Sequence, residues 1–141
     1  MDTKVANFID KYNQLSSLNL ALLEEIYHEN VEFQDPLHAI SGIEQLKVYF
    51  ESLYANLQYA KFELQASFVD GDNAFIYWQM TYQHSKLNSG KATSVDGHSH
   101  LVFCGDKVVR HRDYLDLGAM LYEQIPVLGW AVKKLKKRAG Q

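Results

Sequence analysis

Cysteine is almost absent from this sequence: Cys104 stands alone among 141 residues. A single thiol cannot form an internal disulfide, and no cysteine cluster has the spacing of a structural zinc site, so no metal is expected. Long apolar runs are missing as well, since nothing approaches the ~20 residues that span a bilayer as a helix. The start, Met1-Asp2-Thr3-Lys4, lacks the basic opening and apolar stretch of a signal peptide, so a cytoplasmic protein is the expectation. Glycine-rich phosphate loops and nicotinamide or flavin fingerprints are also lacking, and no cofactor is expected.

What is present is an ordinary globular composition, 47% apolar and 22% charged, in a length that suits one domain with a real core. Aromatic residues reach 13%, nine of them tyrosine, which suits either a core or a ligand cavity. Charge is unevenly spread. Residues 1–130 hold nine basic and seventeen acidic side chains, whereas Lys133, Lys134, Lys136, Lys137 and Arg138 close the chain with no acid among them. An acidic body excludes nucleic acid as a partner, because that role needs a basic footprint at the recognition surface.

Apolar spacing orders the chain. Val5, Phe8, Ile9, Tyr12 and Leu15 form the stripe of an amphipathic helix. Asn19 is placed to cap a second helix burying Leu22, Leu23, Ile26 and Tyr27. Val31-Glu32-Phe33 alternates as a short strand that ends at Asp35-Pro36, because proline cannot donate to a ladder. Gly42 precedes a third helix with Ile43, Leu46, Phe50, Leu53 and Leu57 on one face. The period then falls from 3.6 to 2. Phe62, Leu64, Ala66 and Phe68 alternate with polar residues up to the turn Asp70-Gly71-Asp72, and strands follow over 74–84, 93–103 and 107–116. Gly118 opens a C-terminal helical region interrupted by Pro126 and Gly129.

Helices followed by a meander of long strands predict an α+β fold with a curved antiparallel sheet wrapped around N-terminal helices. On the strand 74–84, Ala74, Ile76, Trp78, Met80 and Tyr82 share the helix-covered face. The opposite parity, Phe75, Tyr77, Gln79, Thr81 and Gln83, is half-apolar and predicts a homodimer contact through the outer face. On the last strand Val109, His111, Asp113 and Leu115 share one face, and Arg110 and Arg112 mark the other as wet or interfacial.

The order of these segments resembles the nuclear-transport-factor-2-like superfamily, in its SnoaL-like and ketosteroid-isomerase-like branches. The likeness runs over about residues 4–117 and is carried by Val31-Glu32-Phe33-Gln34-Asp35-Pro36, by Gly42, and by the Trp78 strand. Gly97-His98-Ser99-His100-Leu101 and His111-Arg112-Asp113-Tyr114-Leu115-Asp116 complete it. It implies a cone-shaped pocket for a small hydrophobic molecule. The chain is divided into a SnoaL-like domain over 1–125 and a basic amphipathic tail over 126–141, and the tail extends past the resemblance. The isomerase pattern puts its general base on Asp35, its oxyanion-binding tyrosine on Tyr12, and its second oxyanion donor on Ser99. A protonated carboxylic acid serves in that last position in the isomerase, and serine offers no comparable acid. The cyclase pattern puts its acid–base aspartate on Asp113, with His111 on the same face.

The candidate catalytic residues are therefore Asp113, His111, Asp35 and Tyr12; the candidate ligand contacts are Trp78, Met80, Tyr82, Ser99, Phe50 and Leu115. Each has a structural alternative. Asp35 before proline also starts turns, and in an apolar pocket its pKa is expected above the ordinary value. Tyr12, Trp78 and Tyr82 could equally belong to the core, while His111 and Asp113 could pair for stability or pass a proton. His98, His100 and His111 disagree in parity, which speaks against a joint metal site. The tail aligns Leu128, Ala131, Val132 and Leu135 beside Trp130, with lysines elsewhere, and reads as a packed terminal helix or as a peripheral membrane contact. Three functions stay open, an acid–base enzyme of the isomerase, cyclase or dehydratase kind, a non-catalytic ligand-binding module, and a dimeric scaffold without a ligand.

Overall fold

The computed structural model describes residues 2–55, 57–84, 91–116 and 126–140, the last segment with side chains from 133 onward. Helix α1 (Thr3–Asn13) starts at Asp2, whose carboxylate accepts from the amides of Lys4 and Val5. It buries Val5, Phe8 and Tyr12, the predicted stripe. The second helix differs from its expectation. A 3₁₀ turn (Leu20–Leu22) leads into a single α turn, α2 (Leu23–Ile26), and Asn19 makes no cap bond. Its side chain instead accepts from Ser16 N and donates to the Gln14 carbonyl, tying up the link between the helices. Tyr27 then belongs to the eight-residue strand β1 (Tyr27–Gln34), not to a helix.

Strand β2 (Ala39–Ser41) pairs back on β1, and α3 (Ile43–Tyr54) follows. Gly42 joins them at φ 85, a left-handed conformation that favours glycine. Leu57, expected on the third helix, opens β3 (Leu57–Asp70). The sheet is completed by β4 (Asn73–His84), β5 (Thr93–Cys104) and β6 (Lys107–Leu115) in the order β2-β1-β6-β5-β4-β3. All described pairings are antiparallel except β1 with β6, so the sheet is mixed where a purely antiparallel one was expected. This α+β fold puts α1 and α3 over one sheet face, with Phe8, Tyr12, Leu46 and Phe50 packed on Ile76, Trp78 and Leu101.

The predicted parity of β4 is the observed one, with Ala74, Ile76, Trp78, Met80 and Tyr82 all buried. Two other strands, β3 and β6, break parity by taking in one extra residue. On β3 the register steps from Leu64↔Trp78 to Ala66↔Tyr77, which turns Phe68 outward beside Phe75. On β6 it steps from Val102↔Arg110 to Phe103↔Val108, so Val108 is fully buried in place of Val109. A bulge of this kind flips every side chain beyond it and bends the strand.

Helix α4 (Pro126–Ala139) has Pro126 in its first turn, where no amide bond is lost, and runs on through Gly129, an expected interruption. Lys136 bonds to Asp116 at the end of the sheet, and Lys133, Lys134 and Lys137 are exposed. Of the expected apolar stripe, Leu128, Ala131 and Val132 lie outside the described side chains, as does the Gly118 region, while Leu135 is 64% exposed. Among the described residues no helix is long and apolar enough to cross a membrane.

Candidate active site

The helices and the concave sheet face enclose a cavity of about 220 Å³. Tyr12 from α1 and Phe50 from α3 face Phe62, Trp78 and Met80 from the sheet, with Leu115 and Asp113 from β6. Around the rim stand Asp35, His38 and Leu37 from the β1–β2 hairpin and Tyr49 from α3. The lining is apolar apart from a few convergent polar groups, the usual make-up of a small-molecule site.

Tyr12 is held over the cavity from one residue away. The Asn13 side-chain amide donates to the Phe62 carbonyl at 2.9 Å and accepts from the Phe62 amide at 2.8 Å, clamping α1 to β3. Burial holds the Tyr12 hydroxyl well above the ordinary phenol range, with Tyr27, Tyr54 and Asp113 adding to the shift. It is therefore a proton-bearing donor at any neutral pH.

Asp113 sits at the end of a buried hydrogen-bonded chain. Ser99 lies directly across from it on β5 and donates to Asp113 Oδ1 at 2.5 Å, while Trp78 Nε1 donates to Ser99 Oγ at 2.8 Å. His111, two residues earlier on the same face, bonds the same Oδ1 through Nε2 at 2.5 Å. Its Nδ1 meets the Tyr27 hydroxyl at 2.7 Å. Burial, then the charge of Asp113, pushes the Tyr27 hydroxyl well above its ordinary value, so it keeps its proton at neutral pH. A bond to the carboxylate is donated by Nε2–H, which in a neutral imidazole leaves Nδ1 to accept from Tyr27. His111 is only 2% exposed, ringed by Phe8, Phe33 and Tyr27, whereas the Asp113 side chain is 16% exposed and lines the cavity. Asp113 Oδ2 accepts no hydrogen bond from a described residue.

Ser99 thus differs from its expected role. Its proton is committed to Asp113, and it stands behind the cavity wall with His111, so it supports the carboxylate and is not a free oxyanion donor. Gly97 explains why the wall can be built this way. It pairs with Trp78, and a Cβ on it would fall 2.1 Å from the indole Cη2, so only glycine lets the ring lie across β5. Tyr82, expected in the lining, is 2% exposed and outside the cavity; it sits farther along β4, opposite Ala60 and Thr93.

Asp35 fulfils both of its readings. Its Oδ1 accepts from the amides of Leu37 at 2.8 Å and His38 at 2.7 Å, the turn function, and the same carboxylate lines the cavity. The expected rise in its pKa is reversed. Burial pushes it up, but bonds from the Tyr49 hydroxyl, the two amides and the His38 ring outweigh burial and leave it below the ordinary value. An aspartate so well supplied with donors is a weaker base than the isomerase pattern implied. His38 and Tyr49 were not singled out from the sequence. The spacing of Asp35 and His38, which lets one turn join carboxylate and imidazole, was the signal available.

On the outer face, His98 and His100 stack against Phe75, and His98 also lies tilted on Tyr77, on the face opposite His111. Among the described residues no group of acidic, histidine or cysteine side chains is arranged to hold a metal.

A profile of the SnoaL-like domain family matches residues 5–111, most of the chain. Among solved structures, a proposed SnoaL-like polyketide cyclase from Jannaschia sp. CCS1 superposes with a TM-score of 0.71 at 18% identity, over 84% of this chain and 86% of that one. A protein with a ketosteroid-isomerase-like fold from Catenulispora acidiphila, in complex with trimethylamine, gives 0.74 at 14% identity over 88% and 92%. TsrD from Streptomyces laurentii gives 0.72 at 17% identity over 88% and 96%. At these identities the likeness is one of fold. No curated protein matches the chain in sequence.

Proposed function

Since this chain belongs to the SnoaL-like domain family, we propose that its cavity binds a small apolar carbonyl compound and moves a proton on it, with Asp113 as general base. The observation that carries this reading is the position of Asp113. It is the cavity-lining carboxylate whose bonds from Ser99 and His111 both end on Oδ1, so Oδ2 is left for a ligand. A C–H next to the substrate carbonyl, set against Oδ2, gives up its proton, and charge moves onto the carbonyl oxygen. Tyr12 donates a hydrogen bond to that oxygen. The wall of Phe33, Phe50, Phe62, Trp78 and Met80 excludes water, which strengthens both interactions. Isomerisation and cyclisation of carbonyl compounds both begin with this step.

Two probes test it. One is the base-promoted ring opening of 5-nitrobenzisoxazole, followed by the absorbance of its phenolate product. The other is exchange of the α-hydrogens of 2-tetralone in D2O, followed by NMR. Wild-type protein should accelerate both, and Asp113→Asn should lose at least about a hundredfold. Equal rates in the two proteins would remove Asp113 as the base.

A binding role without chemistry is favoured by how little of the lining is polar. It predicts that Trp78→Ala weakens 2-tetralone binding while Asp113→Asn leaves binding unchanged, with no turnover to lose. The exposed Phe68, Tyr77 and Tyr114 of the outer face support a homodimer through that face, which light scattering of the purified protein tests. The exposed lysines of α4 support a peripheral contact with an anionic membrane, tested by vesicle sedimentation of the chain cut before Pro126.

A further inference from the structure

The cavity has a second carboxylate–imidazole pair that the chemistry above leaves unused. The Asp35 turn brings His38 Nδ1 to 3.1 Å from Oδ1 and 3.3 Å from Oδ2. Tyr49 donates to Oδ2 at 2.5 Å, and its ring lies 4.8 Å from the His38 ring. The imidazole is thus held at one nitrogen and on one face. Its Nε2 bonds to no described residue, and the side chain is 47% exposed while lining the cavity. His111 cannot serve a ligand in this way, because both of its nitrogens are bonded.

The surroundings of His38 are one-sided in charge. Asp35 holds Nδ1, Tyr49 covers the ring, and the other ionisable groups of the lining are Asp113 and Tyr12. No described cation lines the cavity. Asp35 stays ionised at neutral pH, since its donors outweigh its burial, and an ionised partner keeps the proton on Nδ1. Nε2 is then the atom that gains and loses a proton, in reach of both water and ligand. Tyr12 and Tyr49 cannot do this, because burial raises both hydroxyls above the ordinary phenol range; they can donate hydrogen bonds but do not release protons near neutrality.

We propose that His38, positioned by Asp35 and Tyr49, is the proton donor of this site, protonating the substrate oxygen from the mouth while Asp113 takes a proton from carbon inside. The inference rests on the proton-transfer reading of Asp113. The step balances. The C–H pair becomes the carbon–carbon double bond of an enol, its proton going to Asp113 Oδ2. The carbonyl π pair moves to oxygen and forms a new O–H bond with the proton of His38 Nε2. Asp113 and His38 both end neutral, and the half-exposed imidazole recovers its proton from water. The substrate class that follows is an enolisable ketone seated with its oxygen toward the mouth and its acidic C–H toward β6.

The two probes separate this inference from its premise. Ring opening of 5-nitrobenzisoxazole needs a base but hardly an acid, because its nitrophenolate is a stable leaving group. Exchange into 2-tetralone needs both. His38→Gln and Asp35→Asn should each lower exchange at least about tenfold more than they lower ring opening. Thermal melts establish that each variant is folded, and His38→Asn serves in place of any that is not. Equal losses on the two probes overturn the role of His38 while leaving Asp113 in place. Absence of wild-type activity on both probes, or full activity in Asp113→Asn, overturns the premise and the inference together.

Discussion

The inner and outer ends of the cavity are built from the same two side chains used in opposite ways. Inside, the imidazole of His111 is sealed among aromatic rings with both nitrogens bonded, and Asp113 reaches the ligand space. At the mouth the carboxylate of Asp35 is saturated by the Leu37 and His38 amides, the His38 ring and Tyr49, and His38 has the free atom. Reactivity therefore goes to whichever partner keeps an unbonded lone pair or N–H toward the cavity, whatever its residue type. Burial alone does not select it either, since burial raises the Asp35 pKa and its hydrogen bonds bring it below the ordinary value.

The comparison is broken most directly by removing the two carboxylates in turn. Asp113→Asn should cost at least about a hundredfold in 5-nitrobenzisoxazole opening, and Asp35→Asn far less; a larger loss from Asp35→Asn would exchange their roles. Next in size is Gly97→Ala. The added methyl cannot coexist with the Trp78 ring, so the indole must move and take its Nε1 away from Ser99. Urea denaturation should show a loss of about 1–3 kcal/mol, with ring opening slowed as Asp113 loses its support. Trp78→Phe should do less, about 1 kcal/mol for one hydrogen bond replaced by an apolar edge, and a null result would mean Ser99 holds Asp113 unaided.

The smallest effect is expected at the mouth and depends on pH. The folded-state pKa of Asp35 lies below its unfolded value of roughly 3.9, so its stabilising contribution is complete above that value. It is lost as pH falls through the folded pKa. Asp35→Asn should therefore flatten part of the acid limb of a melting-temperature profile below about pH 4, and identical acid limbs in the two proteins would show that its bonds favour neither state.

The inner pair was legible because it depends on short-range spacing. His111 and Asp113 are two apart on one strand and so must share a face, and the alternation of β4 put Trp78 and Met80 on the cavity side in the same way. Parity misled where a strand takes in an extra residue, at Gln65 and Val109, because nothing in the composition of those stretches announces a bulge. The mouth pair was half legible. Asp35 before proline announces a turn, but Tyr49 reaches it only when α3 docks against β1, and His38 acquires meaning only from that contact. Tyr82 was misplaced along the strand and not across it, since alternation gives the face and says nothing about where the cavity ends.

By itself the sequence determined the α+β architecture, the family likeness and the inward set of β4, because apolar periodicity and turn chemistry act over a few neighbouring residues. The tertiary structure alone decided which carboxylate is free and which is saturated, that Ser99 supports Asp113 instead of facing a ligand, and that Gly97 makes room for Trp78. Those outcomes depend on which donors reach a given oxygen across strands and helices, and a polar group's chemistry follows from the partners that share its volume.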